Sequence, residues 1–89
     1  MPELCRFHGV IITMYPEPRV PHHHPHFHVR CAGASAVYRI SPPSLLAGAI
    51  PSSQAELVVA WASVHQRELM ENWARLQKGE RALPIAPLP

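Results

Sequence analysis

The chain has 89 residues, a length that fits one domain with a single core and room for one site. Apolar residues make up 47% and charged residues 16%, which is typical of a folded globular protein and excludes a disordered one. The formal charge is +2 and the eight basic residues are scattered along the chain, so bulk charge does not indicate nucleic-acid binding.

The cysteine content and the first residues of the chain indicate its cellular compartment. Cys5 and Cys31 are too few for a disulfide scaffold, and we expect free thiols. The opening Met-Pro-Glu-Leu has neither the basic start nor the apolar run of a signal peptide, and no apolar stretch approaches the ~20 residues that span a bilayer. We therefore expect a cytoplasmic protein without a membrane contact. A domain this small gains stability from a second copy, so a homodimer is a further expectation.

The first forty residues predict β-structure. Residues 4–15 are rich in β-branched and aromatic types and contain a turn signal at His8-Gly9, which predicts two short strands. Prolines at 16–21 predict a loop, alternation resumes at 26–31, and a turn near Gly33 precedes a further strand at 35–40. The β-rich part, 3–40, should form a small antiparallel sheet of three to four strands.

The second half predicts one long C-terminal helix. After a connector at 41–52, in which 44–50 fits either a short strand or a helical turn, Ser53 and Glu56 have the spacing of a capping box. The helix should run from about 54 to 77, end at Gly79, and be followed by an extended tail at 80–89. An apolar stripe faces the sheet, formed by Val58, Trp61, Leu69, Trp73 and Leu76. The predicted fold is α+β, a single domain over 1–89.

The concentrated chemical signal is a cluster of five histidines between His22 and His28. Alternate residues of a strand point to the same side, so His26 and His28 could share one zinc or nickel ion. A third ligand would come from His24, from His65, or from Glu68 one helical turn beyond His65.

Other roles for these residues stay open. Histidines beside prolines often brace a loop by hydrogen bonds, and His26 and His28 could instead act as a metal-free acid and base or contact phosphate. His65 lies within the apolar stripe, where a histidine is more often a core residue than a ligand. If His65 does belong to the site, His26 and His28 should face the helix near it. His22 and His23 are expected to be exposed and incidental.

The whole pattern resembles a bacterial family known only as domain of unknown function 4160. The resemblance covers nearly the full chain and rests on residues 2–7 with Gly9, the run 24–29, Gly48 with Pro51, Trp61 with 65–69, 71–73, and 85–88. The family pattern's histidines align with His26, His28 and His65. The resemblance implies a protein partner, because such proteins are often encoded beside another short protein in pairs like toxin–antitoxin operons.

Two functional hypotheses follow. The first, which we favour, is a protein-binding module that contacts a partner encoded by the adjacent gene through a sheet edge or the exposed side of the helix. The second is a small nuclease-like toxin in which His26 and His28 act on RNA as acid and base, or hold a metal that activates water, with Arg30 and Arg19 contacting phosphate.

Overall fold

The computed structural model describes residues 3–16 and 24–89 and shows a five-stranded antiparallel sheet with two helices on one face. The strands lie in the order in which they occur along the chain. They are β1 (Glu3–Phe7), β2 (Val10–Thr13), β3 (His26–Cys31), β4 (Ala34–Arg39) and β5 (Ser44–Gly48), followed by α1 (Ser52–Val64) and α2 (Gln66–Gln77). The predicted α+β class is confirmed.

Two tight hairpins form where the sequence predicts turns. His8 and Gly9 connect β1 to β2 with φ angles of 47° and 80°, and Ala32 and Gly33 connect β3 to β4 with 52° and 79°. Positive φ at both central residues suits the right-handed twist of the flanking strands. These short connections place neighbouring strands side by side and set their register.

The sheet is larger than the predicted three to four strands. The ambiguous connector at 44–50 forms β5, which pairs with β4 along Ala36–Arg39 and contains a bulge opposite Val37 and Tyr38. The sequence of β5, Ser-Leu-Leu-Ala-Gly, lacks β-branched residues, so its strand structure depends on pairing with β4 rather than on local preference.

The predicted single helix at about 54–77 is two helices separated by His65, whose φ and ψ are −109° and 24°. Ser63 Oγ donates a hydrogen bond to the Val59 carbonyl one turn earlier, an interaction that bends helices. The capping-box prediction is also wrong: α1 begins after Pro51, and the Ser53 hydroxyl donates to the Gln54 side chain instead.

The core lies between the helices and the sheet face to which the inward residues of β1 to β4 point. The predicted stripe is confirmed, because all five of its members are buried, with Trp61 against Phe7 and Phe27. The segment after Gly79 forms no helix or strand, and it buries Ile85 beside the helices. Neither helix is long and apolar enough to cross a membrane, within the residues described.

Most of the predicted loop at 16–21, together with Arg19, His22 and His23, lies outside the described residues. Cys5 and Cys31 are buried free thiols, as expected. Burial raises the pKa of the Cys5 thiol, and this favours its unreactive protonated form.

Candidate functional site

The sheet face opposite the helices is polar. Because side chains directly opposite each other in paired strands share a face, the register places three rows across it. They are Arg6, Ile11, Arg30 and Ser35; then Glu3, Thr13, His28, Val37 and Ala47; then Arg39 and Ser44, whereas the ring of His26, opposite Arg39, packs on Trp73 of α2. We refer to this surface as the open face.

The open face is also basic. It contains the arginines at 6, 30 and 39, and its rows include one acidic residue, Glu3. Glu3 is paired with Arg6 at 2.8 Å, and this hydrogen bond holds the pKa of the Glu3 carboxyl below its usual value. Arginines that are far apart in the sequence are therefore brought onto one surface by strand pairing.

Charge is unevenly divided between the two halves of the chain. Residues 1–50 contain four basic and two acidic side chains, whereas 51–89 contain four of each, so the net charge of +2 comes entirely from the first half. Six of the seven histidines also belong to the first half. The first half of the sequence is therefore the more attractive to anions, while the second half is neutral overall.

A shallow groove of about 300 Å³ crosses the open face toward β5. Its polar lining includes three hydroxyl groups as well as two cationic or titratable side chains. These residues are Thr13, Tyr15, Ser35, His28 and Arg30, and Ala47 of β5 lies at the far side. Sequence reasoning did not identify the hydroxyl residues. The alternation of residues in β2 and β4 indicates which side chains share a face. Only the register of the strands shows that these hydroxyl residues lie near His28.

The rings of His26 and His28 of β3 have centroids 5.3 Å apart. His28 is half-buried and its ring is 4.8 Å from that of Tyr15 in an edge-on arrangement. His26 is 8% exposed, and its ring is 5.0 Å from Trp73 of α2. His28 is therefore the member of the pair that faces the groove, while His26 packs against the helices.

His24 and His26 brace the start of β3. His26 Nδ1 is 2.8 Å from the His24 carbonyl oxygen. The Arg39 guanidinium donates to His24 Nε2 at 2.7 Å, so that nitrogen accepts the bond and has no proton of its own. His24 is exposed, and its ring is engaged with an arginine rather than with the other histidines.

His65 lies at the junction of the two helices. Its Nδ1 is 2.5 Å from a carboxylate oxygen of Glu68, and its ring is 5.4 Å from Trp61. Within the described residues, no ring contact joins His65 to His26 or His28, so these contacts give no support to the predicted pocket. Nor do any three His, Cys, Asp or Glu side chains there form a group that could hold a metal ion.

The family is shown by comparison with known proteins. Residues 9–74 match the model of a family described as Domain of unknown function (DUF4160). The chain belongs to this family. The matched span of DUF4160 includes His26, His28, His65 and both tryptophans. No curated protein and no solved structure matches the chain.

Proposed function

We propose that this DUF4160 protein is a protein-binding module whose open face docks an acidic surface of a partner encoded by the adjacent gene, in a toxin–antitoxin-like pair. The observation that supports this most strongly is Arg30. Its side chain is exposed beside the groove and, in the described part of the chain, it acts on Glu3 through its charge but makes no hydrogen bond or salt bridge. By contrast, Arg6 is paired with Glu3 and Arg39 with His24.

An unpaired guanidinium at the centre of a basic surface is suited to a carboxylate. Its planar fork donates two parallel hydrogen bonds to an acidic side chain, which gives both attraction and orientation. The positive field of the whole sheet half would also speed the encounter with an acidic partner. Charge complementarity therefore supports an acidic protein surface as the occupant.

Exposed apolar side chains on β5 favour a protein partner over RNA. Leu45 and Leu46 of β5 are 52% and 43% exposed, and the outer edge of β5 has no strand paired to it in the described chain. Protein interfaces combine buried aliphatic anchors with arginine, whereas RNA binding by a sheet relies on exposed stacking platforms and phosphate contacts.

Replacing Arg30 with glutamine should weaken binding of the neighbouring gene's product about tenfold, because one carboxylate would lose its charged donor. Arg67→Gln is the matched control, since it removes the same charge from an exposed position on α2. The two proteins and the wild type are compared by calorimetric titration after co-expression has established the complex. Equal weakening by both substitutions, or by neither, would contradict docking on the open face.

A second candidate is a histidine-dependent or metal-dependent enzyme of the nuclease type. His28 faces the groove 5.3 Å from His26, close to Arg30 and to the hydroxyl of Tyr15. Such a set could move a proton on RNA while the arginine holds phosphate, or the two imidazoles could hold zinc or nickel together with a further ligand.

The enzyme candidate predicts that expression arrests growth and that His28→Gln relieves the arrest. Glutamine keeps a polar side chain of similar size but has no titratable nitrogen, and His26 is left in place because its ring packs on Trp73. His24→Gln is the control, since His24 lies outside the groove lining. The zinc and nickel contents of the same untagged proteins test the metal form. A harmless wild type that binds its neighbour would leave only the binding module.

A further inference from the structure

The extended segment 82–89, which we call the tail segment, occupies a groove between β1 and the two helices. Asn72 of α2 is 2% exposed and holds the backbone of Leu83 at two points. Its Nδ2 donates to the Leu83 carbonyl at 2.8 Å, and its Oδ1 accepts from the Leu83 N–H at 2.8 Å. A buried side-chain amide used in this way recognises one extended backbone unit.

Two further contacts continue along the same segment. The N–H of Ile85 donates to the Leu4 carbonyl of β1 at 3.0 Å, and Trp61 Nε1 donates to the Ala86 carbonyl at 2.8 Å. The side chain of Ile85 is 5% exposed and belongs to the core. The groove therefore contacts the backbone at Leu83, Ile85 and Ala86, and it has one apolar pocket, which Ile85 fills. At the end of the segment, His8 Nε2 lies 3.1 Å from the Pro89 carbonyl oxygen.

The proline positions of the tail segment match this pattern. Pro84 and Pro87 have no N–H to donate, and the N–H groups that the groove uses belong to Leu83 and Ile85. Proline also favours an extended chain before binding, which lowers the entropy lost when it is held. The groove is therefore suited to an extended apolar peptide that has prolines at the positions of Pro84 and Pro87.

A short exposed connector joins the tail segment to α2. Gly79 has a φ of 78°, reverses the chain direction after the helix, and has open space around its α-carbon. Glu80 and Arg81 are exposed and are tied to the rest of the molecule through Arg75. The connector therefore has exposed contacts with Arg75, whereas the buried contacts belong to the tail segment.

From this geometry we infer that the groove also accepts the tail segment of a second copy of the chain, giving a dimer in which the two tails are exchanged. The contacts between the tail segment and the groove can form in the same way between two copies. The monomer and the dimer therefore differ mainly in the conformation of the connector and in the effective concentration of the tail segment near the groove. The inference is independent of the open face and of the function proposed for it.

Deleting residues 79–81 tests the inference, because the shortened chain loses the reversal at Gly79 and its tail segment can no longer reach its own groove. We expect this variant to be dimeric where the wild type is monomeric, with a dissociation constant at least about 100-fold lower, because the competing intramolecular contact is removed. Light scattering coupled to size exclusion, over a range of concentrations, gives the mass.

The matched control adds Ile85→Ser to the same deletion. This variant keeps the shortened connector but lacks the apolar side chain that fills the pocket, so the dimer should be lost. A deletion variant that stays monomeric at every concentration, folded or not, would overturn the inference. A dimer that persists when Ile85 is replaced would also overturn it, because association would then occur through another surface.

Discussion

Trp61→Ala is expected to lower the free energy of unfolding by about 3 to 5 kcal/mol, the range found when a large buried aromatic is truncated. Trp61 is fully buried, and its ring centroid is 5.6 Å from that of Phe7 and 6.1 Å from that of Phe27. The substitution also leaves the Ala86 carbonyl without its indole donor. A loss of this size is a large fraction of the stability of so small a domain.

Val64→Ala supplies the control for this measurement. Val64 ends the same helix and is 75% exposed, so removing its methyl groups should change the free energy of unfolding by less than about 0.5 kcal/mol. Urea denaturation followed by circular dichroism gives both values. If Trp61→Ala costs no more than Val64→Ala, the helices do not bury their apolar stripe against the sheet.

Gly48→Ala is expected to detach β5 or to destabilise the whole domain by more than about 2 kcal/mol. Gly48 has a φ of 75°, a conformation that costs a residue with a Cβ roughly 1–2 kcal/mol. The added Cβ would also lie 2.4 Å from the Ser35 carbonyl oxygen and 3.0 Å from the Ala36 Cα. Both atoms belong to the backbone of β4, so neither can move without breaking the pairing with β5.

Gly33→Ala separates the two contributions. Gly33 has nearly the same φ, 79°, but a Cβ there meets no heavy atom within 4 Å. Gly33→Ala should show only the free-energy cost of the backbone conformation. The difference in free energy of unfolding between the two variants therefore measures the cost of the steric contact between β5 and β4. Hydrogen exchange of the β5 amides reports detachment directly. Equal effects of the two substitutions would mean that the strands are not in this register.

Much of the fold could be predicted because its signals are local. His8-Gly9 marks a hairpin by the conformations that its residues can adopt, and the spacing of Trp61, Leu69 and Trp73 marks a buried helix face. β5 has no such signal: its leucines are exposed, and it becomes a strand only by pairing with β4. The break at His65 was also not predictable from spacing, since the buried positions continue through it in phase.

The candidate site could be predicted in part, for a similar reason. Strand periodicity predicts that His26 and His28 lie on one side without knowledge of their neighbours. The position of Arg30 between Ile11 and Ser35 depends on the register of three strands, which scattered arginines do not reveal. His65 shares the stripe of Trp61 and contacts that ring, as helical spacing predicts, but it is only half-buried and pairs with Glu68.

The most direct test of the docking proposal is a nuclear magnetic resonance titration of the labelled protein with the product of the adjacent gene. Docking on the open face predicts that the largest chemical-shift changes occur at groove residues, namely Thr13, His28, Arg30, Val37 and Ala47, with little change at Arg67 or Glu71 on α2. Shift changes concentrated on the helices, or no changes at all, would contradict the proposal.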